Sequence, residues 1–278
     1  TTAGFRDVLE IGRGSRPDIF NFQFKKQPPF IERYLILEIE ERMDYKGEVV
    51  KKIDFGSLPS IVSFLQSEQI QSLAICFLYA YKNPSHEQLL TSKIAALWPS
   101  VAVISSHEVT REWREYERTS STVLAASIKP IAKNYLHRLE EQVSKHGYSN
   151  KLYVMQSNGG MNTVDDIKLN PITMIESGPS GGVIGAIALG NLLKRENLIV
   201  LDIGGTTAKC TLIRNGEVSI TTNYKVEKTN TQVGYPLLTP VIDIVEIGNG
   251  GGSIAWIDEG GKMHVGPKSA GADPGPAS

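Results

Sequence analysis

The chain has 278 residues, is 41% hydrophobic and 21% charged, and carries a formal net charge of −1. Its length serves one large domain or two modest ones, each with its own core, and its composition is that of an ordinary soluble globular protein. The near-neutral balance, without a long basic run, excludes the phosphate-neutralising surface of a general nucleic-acid binder, and the longest strongly apolar run, Leu73 to Ala80, is too short for a membrane-spanning helix.

The N-terminus, Thr-Thr-Ala-Gly-Phe-Arg-Asp, shows no apolar leader, and Cys76 and Cys210 each lie in an apolar, strand-like run that favours buried, reduced thiols. Both features point to a reducing, cytoplasmic setting. The missing initiator Met suggests a chain excised from a longer one.

Residues 1–33 mix polar and aromatic side chains with Pro17, Pro28 and Pro29, and read as loops. Between Tyr34 and Val50 two strand-like runs flank Asp44–Gly47, which has the chemistry of a hairpin turn. An α/β alternation follows. A short amphipathic helix over 60–69 precedes a buried strand over 72–80, and a helix starting near Pro84 precedes a strand over 101–105. Apolar residues at three- and four-residue spacing then predict a long helix from Arg111 to Lys145, which Pro130 must kink or divide. A strand over 151–156 and an apolar helix over 182–193 complete the alternation, which implies a largely parallel or mixed sheet.

The pattern changes at Asn197. Strands over 198–203, 208–214 and 217–224 come in quick succession, with Asn215-Gly216 a type I′ turn signal between the last two. The new meander suggests two lobes, residues 1–195 and residues 196–278.

Three glycine clusters carry the chemistry. Asp202-Ile203-Gly204-Gly205-Thr206-Thr207 joins two strands of the meander. Gly204 and Gly205 free the backbone N–H groups to face an anion, Thr206 and Thr207 add hydroxyls, and Asp202 can hold Mg2+ through water. A plain Gly-Gly hairpin closed by an aspartate is the alternative. The second cluster, Gly248-Asn249-Gly250-Gly251-Gly252-Ser253, costs conformational entropy that a flat ring or phosphate close to the backbone would offset; otherwise it is a flexible loop. The third, Ser177-Gly178-Pro179-Ser180-Gly181-Gly182, opens a helix and either presents N–H groups to an anion or lets the helix pack closely. No Walker A lysine follows any of them.

Other candidates are weaker. His107-Glu108 with Arg111, Glu112 and Glu115 matches no zinc spacing and reads as helix-start chemistry. His86, His137, His146 and His264 are scattered and read as solvated. Ser157–Gly160 edges a cleft or makes an ordinary turn. No nucleophile elbow or Cys/His pair supports covalent hydrolysis.

Several segments carry a family resemblance. DIGGTT (202–207) resembles the second phosphate motif of the actin, sugar-kinase and heat-shock ATPase superfamily. GFRDVLEIGR (4–13), the run 105–126, YVMQSNGGM (153–161), SGPSGGVIGA (177–186) and the run 247–277 resemble hydantoinase A and oxoprolinase proteins from end to end. The resemblance implies an α/β, actin-like ATPase (ribonuclease H-like) fold, its mixed sheets flanked by helices, here truncated, with ATP in the cleft. It implies that Asp202, the catalytic residue, addresses Mg2+ and the phosphates with Gly204, Gly205 and Thr206, and that Gly250, Gly251 and Gly252 lie on the adenosine side. It further implies ATP-dependent opening of a small cyclic amide (a hydantoin, N-methylhydantoin or 5-oxoproline) alongside a hydantoinase B-type subunit or domain, and leaves a homo-oligomer open.

The chain departs from the family pattern in two places. Lys209 stands where many members carry an acid, and meets a phosphate or points to solvent. The first Asp-x-Gly-Gly-Thr phosphate motif is absent, so weak ATP affinity is expected of this chain alone. Two rival readings are a subunit of an ATP-dependent ketone carboxylase and a nucleotide-sensing scaffold without turnover.

Overall fold

Chain contacts gather the residues of this computed structural model into two units. The structure describes residues 1–14, 20–22, 24, 26–227, 233–273 and 275–276; Pro17 of the expected N-terminal loop, and Pro274 and Ala277 of the last family-like run, lie outside the described residues. Unit 1 comprises Thr1–Val154, Asn162–Met174 and Thr222–Pro240; unit 2 comprises Met155–Met161, Ile175–Thr221 and Val241–Ser278.

Unit 1 is built on the expected alternation. Helix α1 (Leu58–Ser67) places Leu58, Val62 and Leu65 on one face, the spacing of a helix that buries a single stripe. Strand β1 (Ser72–Ile75), helix α2 (Ser85–Leu97) and strand β2 (Ala102–Ser105) follow. The crossover through α2 makes β1 and β2 parallel, with Ser72 opposite Ala102 and Ile75 opposite Ser105. Their core joins Leu58, Val62, Ile75, Phe77, Leu90 and Ile94. The apolar run beyond Ile75 is buried but not strand: the chain turns at Tyr79, whose φ is 56°. The expected hairpin is present but short, pairing Arg42–Met43 with Val49–Lys51. Asp44 closes its turn by accepting from the N–H groups of Lys46 and Glu48.

Helix α3 (Glu115–Lys145) runs 31 residues, unbroken through Pro130. Burial of Ala126 before the proline and of Ala132 and Leu136 after it holds both halves on the core, so the lost amide bond does not divide the helix.

Unit 2 is the meander. Helix α4 (Ser177–Leu192) begins at Ser177 rather than at the expected Gly182. Strands β3 (Leu198–Ile203), β4 (Ala208–Arg214) and β5 (Val245–Ile247) form an antiparallel sheet in the order β5-β4-β3, and Glu217–Val218 also pairs with β4. Asn215 and Gly216 have φ of 52° and 77°, the two positive values a type I′ turn needs. The strand expected over 217–224 is broken into three short pieces, Glu217–Val218, Ile220–Thr221 and Tyr224–Val226, with different partners. Strands β6 (Ser253–Ile257) and β7 (Met263–Ser269) form a separate antiparallel pair.

On one face of the sheet Leu198 and Val200 pack with Val183, Ile184 and Ile187 of α4. On the other, Ile199, Leu201 and Ile203 are 74%, 61% and 60% exposed, so the apolar character of both faces is used on one only. Cys76 and Cys210 are both free thiols, and burial pushes the Cys76 thiol above its ordinary pKa. Among the described residues no helix is long and apolar enough to cross a membrane.

Candidate functional site

Strand β3 carries Asp202 to its end, the chain bends through Gly204–Thr207, and β4 leaves at Ala208. The bend is closed by the Gly204 N–H donating to Thr207 O at 2.9 Å. The N–H groups of Gly205 and Thr206 donate to no acceptor among the described residues. The second cluster lies directly against this bend: the Gly251 N–H donates to Gly204 O and the Gly252 N–H to Gly205 O, both at 2.8 Å. A Cβ on Gly250 would stand 2.7 Å from Gly204 O and from the backbone N of Thr206, so only glycine permits this approach. The Gly250 N–H donates to Ser253 Oγ at 2.9 Å. The donors of 250–252 are thus used within the protein, and those of 205 and 206 remain free.

Asp202 lines a cavity of about 230 Å3 with Pro179, Gly182, Lys209 and Thr211. In strand register Asp202 faces Lys209. The ammonium nonetheless turns elsewhere, lying 2.8 Å from Glu246 and 3.5 Å from Glu176, the residue that precedes α4 in a left-handed conformation with φ 55°. Neither expectation for Lys209 covers this arrangement; two carboxylates hold it, and the Glu246 hydrogen bond raises its pKa. Lys209, seconded by the Thr207 hydroxyl, holds the Glu246 carboxyl below its ordinary value. The Asp202 carboxylate consequently has no hydrogen-bond or ion-pair partner among the described residues.

The third cluster forms the first turns of α4. A Cβ on Gly178 or Gly182 would meet nothing within 4 Å, so close packing is not what these two positions require. Ser180 is the anchor of the turn, donating to Ser157 O at 2.9 Å. That contact places the 157–160 turn under the start of α4.

Unit 1 holds a different polar cluster. Ser105 and Glu108 form a reciprocal helix cap, as the helix-start reading expects. Its neighbour His107 is 2.6 Å from Glu87, a fully buried carboxylate that also accepts from the Phe77 N–H at 2.9 Å and the Ser106 hydroxyl at 2.6 Å. Arg118, equally buried, donates to Phe77 O at 2.7 Å and to Ser106, 3.9 Å from Glu87. His86 is not solvated: it is buried 2.8 Å from Glu41, because α2 turns it inward. His264 pairs with Asp258 and stacks on Trp256, while His137 and His146 are exposed. Glu87 and Arg118 escaped the sequence reading, although Glu87 shares the 87-90-94 stripe of α2 with Leu90 and Ile94. No group of three metal-binding side chains occurs among the described residues.

The family profile for hydantoinase/oxoprolinase proteins matches residues 118–278, and that for the hydantoinase/oxoprolinase N-terminal region matches residues 1–97. The chain belongs to the hydantoinase/oxoprolinase family. It is 40% identical over 282 residues to the uncharacterized protein MJ0964 of Methanocaldococcus jannaschii, covering 99% of this chain and 42% of that protein. It is 32% identical over 277 residues to the caprolactamase subunit alpha of Pseudomonas jessenii, covering 99% of this chain and 39% of the relative. The crystal structure of that ATP-dependent caprolactamase matches with a TM-score of 0.80 at 30% identity, over 99% of this chain and 39% of the solved chain. A nucleotide-free acetone carboxylase, from work on ATP-dependent acetone carboxylation, matches with a TM-score of 0.76 at 26% identity over 97% and 39%. The hydantoinase/oxoprolinase chain thus has the α/β architecture of the actin-like ATPase class and spans well under half the length of these relatives.

Proposed function

We propose that this chain is part of the A subunit of a cytoplasmic, ATP-dependent cyclic-amide hydrolase, with residues 1–195 and 196–278 contributing to its two lobes. The observation that carries this reading is the paired bend, where Gly250–Gly252 press against Gly204–Thr206 while the N–H groups of Gly205 and Thr206 stay free. The donor set fits a triphosphate and its cation. Free N–H groups attract anionic oxygens, and a single carboxylate suits Mg2+, which keeps most of its water.

In this reading Gly204, Gly205, Thr206 and Thr207 hold phosphate oxygens, and Asp202 holds Mg2+ through water. Gly250, Gly251 and Gly252 fix the bend from behind and leave an unobstructed backbone for the adenosine side. Lys209, tied to Glu176 and Glu246, stays off the Asp202 carboxylate and keeps it available. Bound ATP supplies a phosphoryl group that makes an unreactive amide oxygen a leaving group. The protein's part is positioning and charge stabilisation. A hydantoinase B-type subunit or domain is the expected partner, in keeping with relatives that are named as subunits.

The test is amide-stimulated ATP turnover by the intact protein. Asp202→Asn should lower it about 100-fold, the scale of removing one preorganised electrostatic group; unchanged turnover removes Asp202 from this role. Alone, this chain should bind ATP too weakly to detect by calorimetry, and a Kd on the order of 1 μM or tighter, worth about 8 kcal/mol, overturns that expectation. The likeness to acetone carboxylase supports a second reading, a ketone carboxylase subunit, which bicarbonate- and ketone-dependent ATP consumption would single out.

A further inference from the structure

Lys209 stands at the middle of a charged row. Strand β4 is central in its sheet, and its Lys209 lies opposite Asp202 of β3 on one side and Glu246 of β5 on the other. Residues directly opposite in an antiparallel pair project from the same face with their Cβ atoms about 5 Å apart, so one lysine reaches either carboxylate. The ammonium lies on the Glu246 side, 2.8 Å from that carboxylate.

A third acid tips the choice. Glu176 brings its carboxylate to 3.5 Å from the same ammonium, so the Glu246 side offers two negative charges and the Asp202 side one. The backbone holds Glu176 in this place. Its φ of 55° and ψ of 20° lie in the left-handed region, which a residue with a long side chain occupies only where its surroundings impose it. Ser180, fully buried, supplies the constraint: the Glu176 carbonyl accepts from its N–H at 3.1 Å and from its hydroxyl at 2.8 Å. Glu246 is anchored as well, since its carboxylate also accepts from the Thr207 hydroxyl. Two acids fixed from different parts of the chain thus converge on one lysine, while Asp202, within reach of that lysine, is left without it.

We infer that Glu176 and Glu246 are positioning residues, which hold the Lys209 ammonium so that it does not pair with Asp202 and close the cation site. The inference rests on the ATP reading above and deepens it, because it names what keeps the Asp202 carboxylate open. Losing either acid shifts the competition toward Asp202, and losing the lysine ends it. The effect of the acids therefore travels through Lys209, whereas a direct loss of negative charge near the cation would not depend on that lysine.

The test is a set of variants of the intact protein, read by Mn2+ binding in the presence of ATP with electron paramagnetic resonance. Glu246→Gln should weaken that binding about threefold, and Glu176→Gln with Glu246→Gln about tenfold, the scale of one and of two partly exposed ion pairs. Lys209→Met alone should bind at least as tightly as the unaltered protein. Added to the two acid substitutions, it should restore affinity to within about twofold, the margin of independent sites. Undiminished binding in the doubly substituted protein, or a weakening that Lys209→Met does not relieve, overturns the inference. A second readout needs no nucleotide. The crystal structure of the doubly substituted protein should place the Lys209 ammonium within hydrogen-bonding distance of Asp202, and a lysine still remote from that carboxylate overturns the inference equally. Where the doubly substituted protein folds poorly, Glu246→Gln with and without Lys209→Met carries the same comparison. If the unaltered protein binds no Mn2+ with ATP, the ATP reading fails, and the nucleotide-free structure still decides where Lys209 goes.

Discussion

Glu87 and Asp202 are both carboxylates at the heart of a polar cluster, and their surroundings could hardly differ more. Glu87 is fully buried and its oxygens meet the Phe77 N–H, the Ser106 hydroxyl and the His107 ring, with the Arg118 guanidinium close by. Asp202 is exposed beside a cavity, and the lysine opposite it in the sheet is drawn off by two other acids. A buried carboxylate with every oxygen engaged fixes structure and has nothing left with which to bind. One kept free of partners at the end of a strand costs the fold little and is available to a ligand.

Truncation at the two positions should therefore separate stability from activity. Glu87→Ala strands a buried guanidinium and should cost about 3–5 kcal/mol in a denaturation midpoint experiment. Asp202→Asn should leave that midpoint within about 0.5 kcal/mol, and its effect should fall on ATP turnover. A large melting shift for Asp202→Asn, or none for Glu87→Ala, breaks the distinction.

Gly250→Ala tests the link between the bends. The added methyl meets backbone rather than a movable side chain, so the variant should lose about 1–3 kcal/mol of stability, measured by urea unfolding. Gly178→Ala and Gly182→Ala meet open space and should not. A tolerated Gly250→Ala means the two bends are not held as tightly as 2.8 Å hydrogen bonds imply.

The smallest effect concerns the clasp on Lys209. The Glu246 carboxyl lies below its ordinary 4.5, so its contribution is present above that pH and is lost as pH falls through the lowered value. The Lys209 ammonium lies above its ordinary 10.5, so its contribution holds below that pH and is lost as pH rises through the raised value. The stability difference between the protein and Lys209→Met should thus form a plateau from roughly pH 5 to 10, under about 1 kcal/mol high because Glu246 is half exposed. A difference that peaks outside that window removes the ion pair as its cause.

Much of this was legible in the residues. Helices α1, α2 and α3 follow from apolar stripes, β3 and β4 from their runs and the Asn215-Gly216 turn, and the family from segments spread over the whole length. The reading erred where neighbours outvoted the local pattern. Residues 76–80 are apolar enough for a strand yet turn at Tyr79. His86 reads as a surface histidine until Glu41, far away in sequence, is seen beside it.

Local chemistry, then, decided where the chain bends and which bends leave backbone N–H groups bare, because glycine, aspartate and turn geometry act over a few residues. Which groups are spent and which remain free was decided by the fold alone. Gly251 and Gly252 give their donors to a bend nearly fifty positions earlier, and Lys209 gives its charge to Glu176 and Glu246 rather than to the aspartate across the sheet. A hydrogen bond or ion pair depends on separations of about 3 Å in space, and sequence neighbours do not fix those distances.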